Sequence, residues 1–263
     1  MLTALNLRKQ FYPKTIDEVT ALNRASLSLQ KGEFVTIIGS NGAGKSTLLN
    51  ALAGAIPLDS GTIEVDGHDV TNLPEYARAK YMGRVFQDPK VSTVGSMEVE
   101  ENMALAYLRG QNRGLVFGVD NRLRGLFAEA LSHIGLGLET RLRTRVSTLS
   151  GGQRQALALV MATISRPAVL LLDEHTASLD PKTARLILEI TGRIISEEQL
   201  TTLMVTHNMH DAIQHGTRLI MMHEGSVVLD IGGAEKLSLT VQDLIHRFEH
   251  ISGGVLSDRT LLA

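Results

Sequence analysis

The chain has 263 residues, 43% of them hydrophobic, which is enough for one large packed domain or two small ones and argues against disorder. Its 26 basic and 28 acidic residues leave a net charge of −2, so no global pull toward nucleic acid or an anionic membrane is expected. The absence of cysteine excludes disulfides, thiolate metal sites and cysteine catalysis, and suits a reducing compartment. No apolar run approaches the roughly 20 residues that span a bilayer. The start, Met1 to Arg8, lacks the basic stretch and long apolar segment of a secretory leader. Any membrane role is therefore expected to run through a partner.

Alternating residues predict strands at Thr3–Leu7, Ser26–Leu29 and Phe34–Ile38, with a turn at Lys31-Gly32. Val35–Ile38 is a β-branched run that ends in glycine, as a buried strand does. Lys45–Leu52 carries leucines at helical spacing. Asp59-Ser60-Gly61 and Asp66-Gly67 read as turns around a strand Thr62–Val65. Helical patterns then dominate, at Glu98–Leu108 and Asn121–Ile134, interrupted by the Gly/Arg-rich stretch Arg109–Gly118, whose basic side chains are expected to be solvated. Buried strands are predicted at Ala168–Leu172 and Thr202–Val205. Ile187, Ile190 and Ile194 mark an amphipathic crossover helix between them. Arg218–Met222 and Ser226–Asp230 read as a hairpin around Glu224-Gly225, and Thr240–His250 as a helix followed by a frayed end. This pattern divides the chain into an α/β core (1–87 and 157–235), an inserted helical subdomain (88–156) and a C-terminal tail (236–263).

The run Gly39, Ser40, Asn41, Gly42, Ala43, Gly44, Lys45, Ser46, Thr47 lies between a strand and a helix, as a phosphate loop does. Its glycines let successive backbone N–H groups turn toward phosphate oxygens, and the helix adds its positive end. Lys45 supplies a mobile charge for terminal phosphates, and Ser46 a hydroxyl for Mg²⁺. Val169–Leu172 is a buried strand that delivers Asp173 and Glu174 at its carboxyl end, where α/β crevices take ligands. Asp173 would hold Mg²⁺, and Glu174 would polarise an attacking water. Between these motifs, Leu149, Ser150, Gly151, Gly152 and Gln153 set a hydroxyl and two glycines before a helix. That is a second phosphate-facing helix start, and Ser150 can cap the same helix.

The order of these three motifs resembles the nucleotide-binding subunit of an ATP-binding cassette (ABC) transporter over nearly the whole chain. The resemblance implies an α/β fold: a P-loop NTPase (RecA-like) core with an N-terminal antiparallel β subdomain and an inserted helical subdomain. It implies an ATP hydrolase, coupled to transport, that uses ATP and Mg²⁺. Gln87 resembles the Q-loop glutamine, implied to touch Mg²⁺ and the attacking water. Asp180, in Ser178-Leu179-Asp180, resembles the D-loop aspartate, and His207 the switch histidine that contacts the γ-phosphate. An aromatic should stack on adenine: Phe11 is favoured by the Lys9-Gln10-Phe11 pattern, with Tyr12 the alternative.

In this family one subunit's Ser150–Gln153 segment closes on ATP held by another, so a second ATP-binding subunit is expected, most simply in a homodimer. An integral-membrane permease and, indirectly, a solute-binding protein are the further partners implied, with no nucleic acid. The location implied is cytoplasmic, peripheral on the inner face of the cell membrane through the permease. Segments Val35–Ala43, Gly83–Pro89 and Leu203–Met209 look like bacterial uptake-system ATPases of the tryptophan/tyrosine or branched-chain amino-acid type. The rival reading is a soluble cassette ATPase, such as one serving iron–sulfur assembly. One departure is plain: the family usually has proline after the glutamate, and here His175 stands there, expected as a solvated loop histidine.

Overall fold

The computed structural model describes residues 1–110 and 118–252. Contacts gather it into two compact units: Met1–Arg78 with the chain from Gln199 onward, and Ala79–Glu198. In chain order the first unit carries β1 (Leu2–Phe11), β2 (Val19–Leu29), β3 (Phe34–Ile38), α1 (Lys45–Ala53), β4 (Ser60–Val65), β5 (His68–Asp69) and α2 (Glu75–Arg78). The second carries β6 (Met82–Val85), α3 (Pro89–Ser92), α4 (Val99–Tyr107), α5 (Asn121–Ser132), α6 (Gly151–Thr163), β7 (Val169–Asp173) and α7 (Pro181–Glu198). The chain then returns to the first unit with β8 (Thr202–Val205), α8 (Met209–Gln214), β9 (Arg218–His223), β10 (Ser226–Gly232), α9 (Gly233–Leu237) and α10 (Val241–Ser252).

In the first unit, β3 is buried at all five positions because it has a parallel neighbour on each side, β8 and β9. A strand covered on both faces has no solvent side to keep polar, hence its continuous apolar run. Thr36 is the exception, and its hydroxyl donates to the carbonyl of Ala212 at 2.9 Å, tying β3 to α8. The hairpin partner β10 closes the edge of β9. A separate antiparallel sheet runs β2-β1-β4-β5. Both β1 and β2 are longer than the sequence pattern predicts. Register shifts, and left-handed residues at Asn6 (φ 52°) and Arg24 (φ 54°), break the alternation that would have revealed them. Ser60 and Gly61, expected in a turn, open β4 instead. The short β5, α2 and α9 hold too few residues to show a period. The apolar face of α10, Leu244 and Phe248, packs with Met209, Ala212, Leu219 and Met221. The fraying expected after His250 falls largely outside the described residues.

In the second unit, β6 and β7 pair in parallel and α6 packs on β6. These contacts carry the strand pair together with the helices in one compact unit, whose bounds fall at 78/79 and 198/199. Helix α4 opens with a capping box between Glu98 and Glu101. Asn102, fully buried, accepts from the Val94 amide at 2.7 Å and donates to the carbonyls of Val94 and Glu98. Arg124 of α5 grips Glu100 of α4 with two hydrogen bonds of 2.7 and 2.8 Å, and this guanidinium holds the Glu100 carboxyl below its ordinary range. Among the described residues no helix is long and apolar enough to cross a membrane.

Arg78 is the unexpected polar centre of the first unit. It is 3% exposed, and its guanidinium donates to four carbonyls: Ala51 and Leu52 at the end of α1, Thr71 and Leu73. Those of α1 are among the acceptors a helix end leaves open. Arg78→Met should lower unfolding free energy by about 2–4 kcal/mol, because buried acceptors lose their donors. Urea denaturation of the two proteins measures it.

Candidate functional site

Within the first unit, the phosphate-loop candidates and His207 leave neighbouring strands at the same end. Ile37 pairs with Val205 across β3 and β8, so Gly39 and His207 each stand two residues past a matched pair. The Thr206 amide also donates to Ile37 at 3.1 Å. Gly44 is the N-cap of α1 with φ 97°, and a Cβ there would stand 2.4 Å from the Ala21 carbonyl oxygen. Glycine is therefore demanded twice, by conformation and by space. No side chain caps α1, so its first amides are offered to the loop. Lys45, 6% exposed, turns its ammonium onto the loop's own carbonyls, Gly39 at 2.7 Å and Ser40 at 3.0 Å. Ala43 is buried and accepts from the Gly225 amide, while Asn41, Gly42 and Ser46 are exposed and Ser40 and Thr47 half-buried. His207 is half-buried, just ahead of Asn208, which caps α8 through Asp211.

The second unit repeats this arrangement. Val85 pairs with Leu172, so Gln87 and Glu174 emerge two residues beyond a matched pair. Asp173 ends β7 and accepts a hydrogen bond from Arg84 at 2.9 Å. Glu174 has φ 44°, a left-handed backbone that a non-glycine residue adopts at a cost of about 1 kcal/mol or more. Gln87 is exposed, and its carbonyl accepts from the Ser178 hydroxyl at 3.1 Å, joining the segments after β6 and β7. Asp180 caps α7, accepting from the amides of Lys182 and Thr183. Hydrogen bonding by the Thr183 side chain and amide holds its carboxyl below the ordinary range.

Ser150 caps α6, and Gln153 returns the bond to the Ser150 amide, a capping box that sets both side chains at the helix start. Ser150 and Gly151 are exposed and Gly152 is buried. A Cβ on Gly152 would lie 2.4 Å from Thr183 Cγ2, so a side chain there would force Thr183 of α7 to shift. Gln155, fully buried, donates to the Phe86 carbonyl at 3.1 Å and so ties α6 to the residue before Gln87. Sequence reasoning missed it. The available signal was one amide side chain inside the apolar run of a helix.

The family profile described as "ABC transporter" matches residues 22–177, which take in the phosphate loop, Gln87, Ser150–Gln153, Asp173 and Glu174. The chain belongs to the ABC transporter family. As such it is an ATP-binding, ATP-hydrolysing cassette with a mixed α/β P-loop fold. It is 47% identical, over 95% of its length and 99% of the relative's, to a tyrosine transport ATP-binding protein of Clostridioides difficile (strain R20291). A phosphate-import ATP-binding protein of Mycolicibacterium smegmatis (strain ATCC 700084 / mc(2)155) is 33% identical, covering 94% of this chain and 93% of that one. Among solved structures, a dimeric ATP-binding cassette in a post-hydrolysis state with ADP and Pi superposes with a TM-score of 0.75 at 28% identity, covering 88% of this chain and 98% of that one.

Two expectations about this ABC cassette are corrected. His175 is not a solvated loop residue. It is 1% exposed, and its Nε2 lies 3.1 Å from the Thr191 hydroxyl of α7. That hydroxyl donates to Ile187 at 2.7 Å, so it accepts from a protonated Nε2. The imidazole anchors the turn in which Glu174 holds its left-handed backbone. Arg109 is not solvated either: it donates to the Met161 carbonyl at 2.9 Å, and burial pushes its guanidinium down. Residues 111–117 of the Gly/Arg-rich stretch lie outside the described residues. Phe11 is half-buried beneath the Lys9 ammonium, 5.6 Å from the ring centroid, and Tyr12 is 68% exposed.

Among the described residues no group of three or more His, Asp or Glu side chains gathers as a metal cage. Ser46 in the first unit, and Gln87 and Asp173 in the second, each offer a hard oxygen donor of the kind Mg²⁺ takes, and this ion needs few protein ligands because water and phosphate oxygens complete its shell. Thr191→Val should cost about 1–2 kcal/mol by leaving a buried imidazole N–H without its acceptor, while Thr191→Ser should be close to neutral. Denaturant titration of the two variants reads the difference.

Proposed function

We propose that this cassette is the ATP-binding subunit of a bacterial importer for an amino-acid-like solute. The observation that carries the reading is the nearly end-to-end relation to a tyrosine transport ATP-binding protein at 47% identity. The protein works as a homodimer at the cytoplasmic face of the cell membrane, held there by an integral-membrane permease that receives solute from a solute-binding protein. Residues 1–87 and 157–235 act as the α/β core, 88–156 as a helical subdomain and 236–263 as a tail.

Amides of Gly39–Thr47 and the Lys45 ammonium bind the β- and γ-phosphates, and Phe11 stacks on adenine. Ser46, Gln87 and Asp173 would hold Mg²⁺, which would supply charge compensation at the phosphate oxygens. Glu174 orients and polarises the attacking water, and His207 donates toward the γ-phosphate. Ser150, Gly151, Gly152 and Gln153, with Asp180 near the seam, complete the site of the partner protomer. ATP favours the closed dimer, hydrolysis releases it, and this shift in population is the mechanical output.

Lys45→Ala should abolish detectable ATP binding by calorimetry, and near-normal affinity would remove the phosphate loop from the site. Glu174→Gln should bind ATP normally, lose turnover by about 10²-fold or more and accumulate an ATP-bound dimer by light scattering. A normal rate in that variant would strip Glu174 of its role.

A further inference from the structure

Arg84 lies outside every role assigned above. It pairs in register with Leu171 across β6 and β7. Side chains two apart on a strand share a face, so Arg84 and Phe86 lie on the face where Asp173 ends β7. The guanidinium packs over the Phe86 ring, 4.2 Å from its centroid, and one Nη donates to Asp173 Oδ2 at 2.9 Å. Both side chains are largely removed from solvent, 10% exposed for Arg84 and 16% for Asp173. Arg84 Nε is buried and makes no hydrogen bond. A cation that cannot deprotonate is thus fixed against the carboxylate by a ring, a strand and a single donor.

A carboxylate shared with a guanidinium is less negative toward a second cation, and the two cations repel strongly where water is largely excluded. We propose that Arg84 is a positioning residue for Asp173. It is a fixed counter-charge that holds the carboxylate at the end of β7 and raises the Mg²⁺ concentration at which nucleotide binds as its metal complex. The inference rests on Asp173 being a Mg²⁺ holder. It goes beyond that reading by assigning the cassette's Mg²⁺ requirement to a residue that acts through Asp173.

The experiment titrates Mg²⁺ against the binding of a fluorescent ADP analogue to the full chain, without turnover. Arg84→Met keeps a long side chain against the Phe86 ring and removes the charge. Arg84→Gln removes the charge and retains a donor for Asp173. Both should lower the half-saturating Mg²⁺ concentration, by about tenfold, and Arg84→Lys should stay near the wild type. Thermal melts establish that each variant is folded, and two neutral variants keep the test open if one is not. An unchanged or raised Mg²⁺ requirement in the folded neutral variants overturns the proposal. A raised requirement is the sign expected if Arg84 only props Asp173 in place. Asp173→Asn separates the two readings. If it keeps the wild-type Mg²⁺ dependence, Asp173 is not the metal holder. If it loses that dependence while the neutral Arg84 variants match the wild type, only the role of Arg84 falls.

Discussion

Parallel pairing in fixed register is the constraint on which the rest depends. Across β3 and β8 the last matched partners are Ile37 and Val205, and across β6 and β7 they are Val85 and Leu172. Side chains beyond each matched pair are delivered at one edge with no freedom to slide, since a slip of one residue would exchange every packed side chain between the two faces of the sheet. Gly39 and His207 in one unit, and Gln87 and Glu174 in the other, owe their placement to this register and not to loop structure. The apolar character of β3, β7 and β8 is therefore part of the chemistry. It holds the strand ends so that short loops can carry reactive groups.

Around those strand ends the polar groups are held by backbone carbonyls and, for His175, by a side-chain hydroxyl. The Lys45 ammonium rests on two loop carbonyls, the Gln155 amide on Phe86, the Ser178 hydroxyl on Gln87, and the imidazole of His175 on a hydroxyl that is itself committed to Ile187. Buried polar groups in a low-dielectric interior specify one arrangement because the unpaired alternative is so unfavourable. The left-handed backbone of Glu174 persists in such surroundings: a turn strained by itself is fixed from below by a buried side chain.

Much of this was legible in the residues alone, for local reasons. Gly44 and Lys45 announce a phosphate loop because the backbone there tolerates few substitutes. Val169–Leu172 announces a buried strand because it has no polar side. His175, Arg109, Gln155 and Arg84 were not legible in the same way. Each is a polar residue whose burial depends on a partner far along the chain, Thr191, Met161, Phe86 and Asp173 in turn, and no local pattern encodes such a pairing. The true lengths of β1 and β2 were hidden because Asn6 and Arg24 interrupt the alternation on which strand reading relies.

The hold on the segment after β6 has a consequence for divergence. Its course is set through two successive carbonyl oxygens, Phe86 gripped by Gln155 and Gln87 gripped by Ser178. Every amino acid supplies the same carbonyl, so substitution at either position leaves the trajectory in place. A segment steered by its backbone can exchange its outward chemistry while its path stays constant. The side chains of that segment are thereby released from steering it and left to the contacts they make themselves.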